Sequence, residues 1–224
     1  MGRQRFYSRA CQRGAAVIEL PRYAPTVVIS KGLERRQAIS RLALATAVVD
    51  LIGVVSLIIF FAVGGGPFGF LNDVANGVVG VLSMALAWLW VSDRSARWSR
   101  VGLAAATAGA LVMVIGSILI IFDVTGWYLA GLVSSLGSAL IGIWLLVANR
   151  LHRNTPGLPR GLIMLGMTAA IFMIIGWLAV PGVVTGIDDP QLAPWYVNAS
   201  LLNWMGTYSL YPAWCLWLSR RYKG

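Results

Sequence analysis

Beyond residue 40 the chain consists of long apolar runs separated by short polar or glycine-rich turns. A membrane-spanning helix needs about 20 mostly apolar residues at a rise of about 1.5 Å each. Six stretches meet that length: 41–63, 71–92, 101–123, 127–149, 161–181 and 195–219. None alternates apolar and polar positions with a period of two, which argues against the strands of a membrane barrel. The pattern predicts an all-α, polytopic membrane bundle of six transmembrane helices, with 41–219 as one transmembrane domain.

Within the runs, small and polar residues keep to single faces. Lipid supplies no hydrophobic force between helices, so such residues mark the faces that touch. The sixth stretch carries Tyr196, Ser200, Asn203, Thr207 and Tyr211 in steps of three and four. The second carries Asn72, Asn76, Gly80 and Ser83, and the fourth Gly131, Ser135, Ser138 and Gly142. Thr46, Asp50 and Gly53 align on the first. The third offers Gly102, Gly109 and Gly116, a close-packing seam without polar side chains, and the fifth is the most uniformly apolar.

A longer period overlies these faces. Arg41, Arg100, Arg160 and Arg220 are 59, 60 and 60 residues apart, and each interval holds one out-and-back hairpin. The even stretches end alike, in WLWVSDR at 88–94, WLLVANR at 144–150 and WCLWLSR at 214–220. The spacing predicts three tandem helical-hairpin repeats of about 60 residues. Trp88, Trp144, Trp214 and Trp217, with Arg94, Arg150 and Arg220, read as membrane-interface anchors, where amphipathic rings and arginines collect.

Composition agrees with a membrane location. The chain is 58% hydrophobic and 12% charged, more apolar surface than a soluble domain of this length can hide. Its net charge of +10 is a topology signal rather than a nucleic-acid signal. Nine of the 18 Lys and Arg lie at or before Arg41, and the rest fall at 94–100, 150–160 and 220–223. All belong to one side of the six-span arrangement. The other side holds Asp73, Asp123, Asp188 and Asp189 as its charges. The positive-inside rule then makes both termini cytoplasmic in a plasma membrane of the bacterial inner-membrane type. Residues 1–40 are expected to form a basic cytoplasmic arm without fixed structure, and 220–224 a short basic tail. The lipid bilayer is the expected partner, with other membrane subunits or a second copy left open and nucleic acid not expected.

No nucleophile–base pair or metal-ligand cluster stands out, so neither enzymatic activity nor a cofactor is expected. Cys11 and Cys215 lie at opposite ends of the chain and form no recognisable framework. GGGPFG at 64–69 lacks the Lys and Ser/Thr of a phosphate-binding loop, and Asp188–Asp189 beside Pro190 reads as a turn.

One residue breaks the pattern. LATAVVDLIGVVSLIIFF at 44–61 carries Asp50 nine residues past Arg41, about 13–14 Å into a core of about 30 Å. An ionised Asp at that depth costs on the order of 2.5–3.5 kcal/mol, and apart from Arg41 at the very edge of the first, no basic residue lies inside the six stretches to pair with it. It is either neutral and hydrogen-bonded, or it faces a hydrated cavity or a cation. Counting through the other stretches places Ser83, Ser138, Asn203 and Thr207 at a similar level. Asp50, Thr46, Asn76, Ser83, Ser138, Asn203 and Thr207 therefore form the candidate ligand or ion site. Two roles fit: small-solute or ion binding and transport at this midplane layer, or a non-catalytic structural or assembly subunit in which Asp50 is internally bonded.

Overall fold

The computed structural model describes residues 24–91, 96–155 and 157–223, with side chains from Gly32 onward. Arg94 and the first 23 residues of the expected basic arm lie outside the described residues. The described chain is helical throughout. Helix α1 (Ala24–Val63) begins well ahead of the apolar run that starts at 41. Helices α2 (Phe68–Trp90), α3 (Arg97–Ile121) and α4 (Trp127–Leu151) follow the hydropathy boundaries within a few residues. Helix α5 (Arg160–Ile174) runs through a tight 3-10 segment, Ile175–Ala179, into α6 (Val180–Thr185). The run at 64–66 makes the α1–α2 turn with all three glycines at positive φ, which accounts for that motif without a ligand.

The stretch 195–219 departs from expectation: it is not one spanning helix. It consists of α7 (Trp195–Ala199), a 3-10 turn Ser200–Leu202, α8 (Asn203–Met205), a π segment Gly206–Leu210 and α9 (Tyr211–Tyr222). Pro212 supplies a physical reason. It has no N–H to give the carbonyl four residues back, and its ring crowds that carbonyl. The chain relaxes into the wider π register, in which the Tyr211 N–H bonds Gly206 O. Among the described residues five helices, not six, are long and apolar enough to cross a membrane: Gly32–Val63, Phe68–Trp90, Arg97–Ile121, Trp127–Leu151 and Arg160–Thr185. The fold is thus an all-α bundle of six helical segments, the last of them broken. The expectation of three equivalent hairpins fails at the same place, because the third would pair an interrupted helix with a fragmented one.

Sequence neighbours pack side by side from α1 to α5, and α9 returns against α1 to close the ring. The spans of α2 and α4 are 50% and 56% buried, against 28%, 33% and 39% for those of α1, α3 and α5, so the even helices form the interior. The outward faces carry Leu44, Val48, Ile52 and Val55 on α1, Leu111 and Ile115 on α3, and Ile171 on α5. Exposed apolar faces on helices of this length belong against lipid, and the chain is a multi-pass helical membrane protein. The expected glycine seam is real at the α3–α4 contact. A Cβ on Gly109 would come within 2.6 Å of Gly137 O, so the two backbones touch.

Polar contacts gather the basic residues at one end of the bundle. Arg35 donates to Leu89 O (2.9 Å) and Val91 O at the C-terminus of α2, where a cation meets the exposed carbonyls of the helix end. Ser40 Oγ donates to Ser219 O at 2.9 Å, and Arg221 to Gly157 O at 2.6 Å. Just inside this end lies a buried aromatic cluster in which Trp90 meets Trp214 at 5.2 Å and Trp144 at 6.5 Å, edge to face. Trp144 and Trp214, read from the sequence as lipid-interface anchors, are therefore core residues. Trp90, not Trp88, completes their triangle, because Trp90 continues the buried face of Ser83 and Ala87. Trp88 and Trp217 do lie outward, 44% and 41% exposed, and Arg150 and Arg220 are exposed.

Candidate functional site

A cavity of about 390 Å³ runs inward from the acidic end, between α1, α2, α3, α4 and the broken last segment. Gly66, Asp123 and Trp127, from the turns at that end, form its mouth. Asp73 and Ser134 line its wall, and Asn76, Ser138, Asn203 and Tyr208 lie deepest. The polar stripes of α2, α4 and the last segment converge here because each apolar outer face is turned to lipid.

Asn203 organises the inner wall. Its amide nitrogen lies 2.9 Å from Met173 O, 2.5 Å from Ser138 Oγ and 3.2 Å from Ser135 O. Thr207 donates to Asn203 Oδ1 at 3.2 Å. This network ties α4, α5 and α8 together where α5 tightens into its 3-10 turn, and the Met173 carbonyl there finds a side-chain donor. Gly176 permits the approach, since a Cβ would collide with Ser135 O and the Asn203 amide. Ser135 Oγ is buried beside this network and has no hydrogen-bond partner.

Tyr208 closes the bottom. Its hydroxyl donates to Asn76 Oδ1 at 3.0 Å, with Asn72 Oδ1 at 3.5 Å. It lies in the π segment, whose extra residue per turn rotates it off the stripe of Ser200, Asn203 and Thr207 and toward α2. The π segment also touches α1.

Asp50 does not line the cavity. It is 2% exposed, and its Oδ2 has no hydrogen-bond partner. Thr46 and Ser83 also lie outside the cavity lining and are already committed. Thr46 donates to Leu42 O at 2.8 Å. Ser83 donates to Val79 O at 2.6 Å and shares a 2.8 Å hydrogen bond with Tyr211.

The seven sequence-derived candidates therefore fall into two groups. Asn76, Ser138, Asn203 and Thr207 line the cavity, while Asp50, Thr46 and Ser83 lie outside it. The sequence pattern missed Tyr208 as a lining residue, because an ideal helical period puts it off the polar face. Pro212, four residues on, was the available signal. It also missed Asp73 and Asp123 as lining residues, taking them only as charges of one side. No protein-family model, curated protein or solved structure matches this chain.

Proposed function

We propose that the protein binds and translocates a small solute or ion, and that Asp50 is the carboxylate on which translocation depends. Two observations support this reading. A cavity of about 390 Å³ has Asn76, Ser138, Asn203, Thr207 and Tyr208 among its lining residues, and outside that lining Asp50 is buried with Oδ2 unpartnered. Cavities of this size suit small molecules. The surrounding backbone fits the role, because transporter sites are commonly built where helices are interrupted. Here Asn203 bonds the Met173 carbonyl just before a 3-10 turn, and a π segment begins three residues after Asn203. Asn76, Ser138, Asn203 and Thr207 would offer amide and hydroxyl contacts to the solute. Asp50, one helical turn from Thr46, would take up a proton or cation when Tyr208 swings from Asn76, with Ser83 close by in the same proposed path. Catalysis is no part of this reading. By the positive-inside rule the end carrying Arg35, Arg150, Arg153 and Arg220 is cytoplasmic, in a plasma membrane of the bacterial inner-membrane type.

The alternative role, a structural or assembly subunit, required Asp50 to be internally bonded, and the partnerless Oδ2 speaks against it. The deciding measurement compares the wild type with Asp50→Asn, which keeps shape and removes the titrating oxygen. Both are reconstituted in liposomes under an imposed potential, with proton flux and rubidium uptake recorded. Wild-type flux above empty vesicles, reduced about tenfold or more in the variant at unchanged thermal stability, is the expected outcome. Equal flux in the two proteins removes Asp50 from the mechanism. Wild-type vesicles no leakier than empty ones favour the subunit role.

A further inference from the structure

We infer that the cavity is a site for a small organic ammonium ion, a class of ligand read from the chemistry of its walls. The inference rests on the cavity being the solute site of the proposed transport reading. Its charged lining groups are Asp73 and Asp123, and among the described lining residues none is Lys, Arg or His. Anions are therefore repelled and cations drawn in. The remaining surface is rich in rings. Phe61 and Trp127 pack edge to face at 6.4 Å near the mouth, and Trp204 packs against Tyr208 at 6.1 Å at the floor. Ring faces with carboxylates nearby suit an alkylated ammonium, whose diffuse charge is attracted by the ring quadrupole and whose methyl groups bury against carbon. A bare metal ion is served poorly, since hard cations need six or more oxygen ligands held together.

The test uses the full chain in lipid nanodiscs and isothermal titration calorimetry with choline. The neutral control is 3,3-dimethylbutan-1-ol, which has the same shape without the charge. Saturable choline binding at one site per chain is expected, with the neutral alcohol weaker by about tenfold or more. Asp73→Asn should weaken choline by about fivefold, and Trp204→Leu by a similar factor, while Asp189→Asn, outside the cavity lining, stays within about twofold of wild type. Thermal unfolding of each variant identifies any that fails to fold, and the wild-type comparison of the two ligands needs no variant. Neutral alcohol binding as tightly as choline overturns the inference, as does the absence of saturable choline binding up to about 10 mM. Either result leaves the transport reading to its own flux measurement. Flux that ignores Asp50→Asn, in turn, sinks that reading without touching the titration.

Discussion

Asp188 shows how much a single side chain can do at a distance along the chain. Its two carboxylate oxygens accept from the backbone N–H groups of Gly126 (2.5 Å) and Leu129 (3.0 Å), the opening turn of α4. Those donors have no partner within their own helix, and a negative charge at a helix N-terminus also meets the positive end of its dipole. Asp189, next to it, only closes its own turn by accepting from Gln191 N at 2.8 Å. Asp188→Ala should therefore cost about 1–2 kcal/mol and Asp189→Ala less than about 0.5 kcal/mol. Thermal unfolding in detergent checks the contrast, and equal shifts in the two variants would refute it. The sequence made this pair legible as a turn, through Pro190, but not the cap, because the partners are 59 and 62 residues away. Asp50 was legible for the opposite reason: a charge inside an apolar run needs no partner to be conspicuous.

At the scale of the element, apolar length was legible and continuity was not. Hydropathy located α1 to α5 because burial in lipid is summed over a whole run, and a few polar residues do not change the sum. The same sum passed over the break in the last segment, which depends on one missing N–H at Pro212 and on side-chain donors such as Asn203. The glycine seam of α3 was legible as spacing, and its partner became clear only when α4 was seen against it. Gly109 and Gly131 give a matched pair of substitutions. A Cβ at Gly109 meets backbone atoms of α4, Gly137 O at 2.6 Å and Ile141 N at 3.0 Å, and backbone cannot turn aside as a side chain can. A Cβ at Gly131 meets nothing within 4 Å. Gly109→Ala should destabilise by about 1–3 kcal/mol and Gly131→Ala by less than about 0.5 kcal/mol. Thermal unfolding of the two reconstituted variants measures the difference, and a Gly109→Ala protein as stable as wild type would mean that α3 and α4 do not touch there.

For the whole molecule, the charge pattern and the cavity point in opposite directions along the same axis. Arg35, Arg221 and Ser40 bind the N-terminal helix, the end of α2, the loop at Gly157 and the C-terminal helix into one basic end. The cavity mouth, with Asp123, lies at the other. Translocation of the basic end would carry many arginines across the bilayer, whereas the acidic end brings only a few carboxylates, and on this the proposed orientation, with the basic end inside, rests. In that proposed orientation the cavity faces outward, and a cationic solute would approach it from outside the cell. Single cysteines test this arrangement. Val124 and Val184, 63% and 80% exposed, stand near the acidic end, and exposed Arg153 stands at the basic end. The native Cys215 is fully buried and serves as a silent background, with Cys11 replaced by Ser. A membrane-impermeant maleimide applied to intact cells should label Val124→Cys and Val184→Cys, and Arg153→Cys only after lysis. The reverse pattern would turn the molecule over, make the cavity a cytoplasmic vestibule, and require any cationic ligand to come from within.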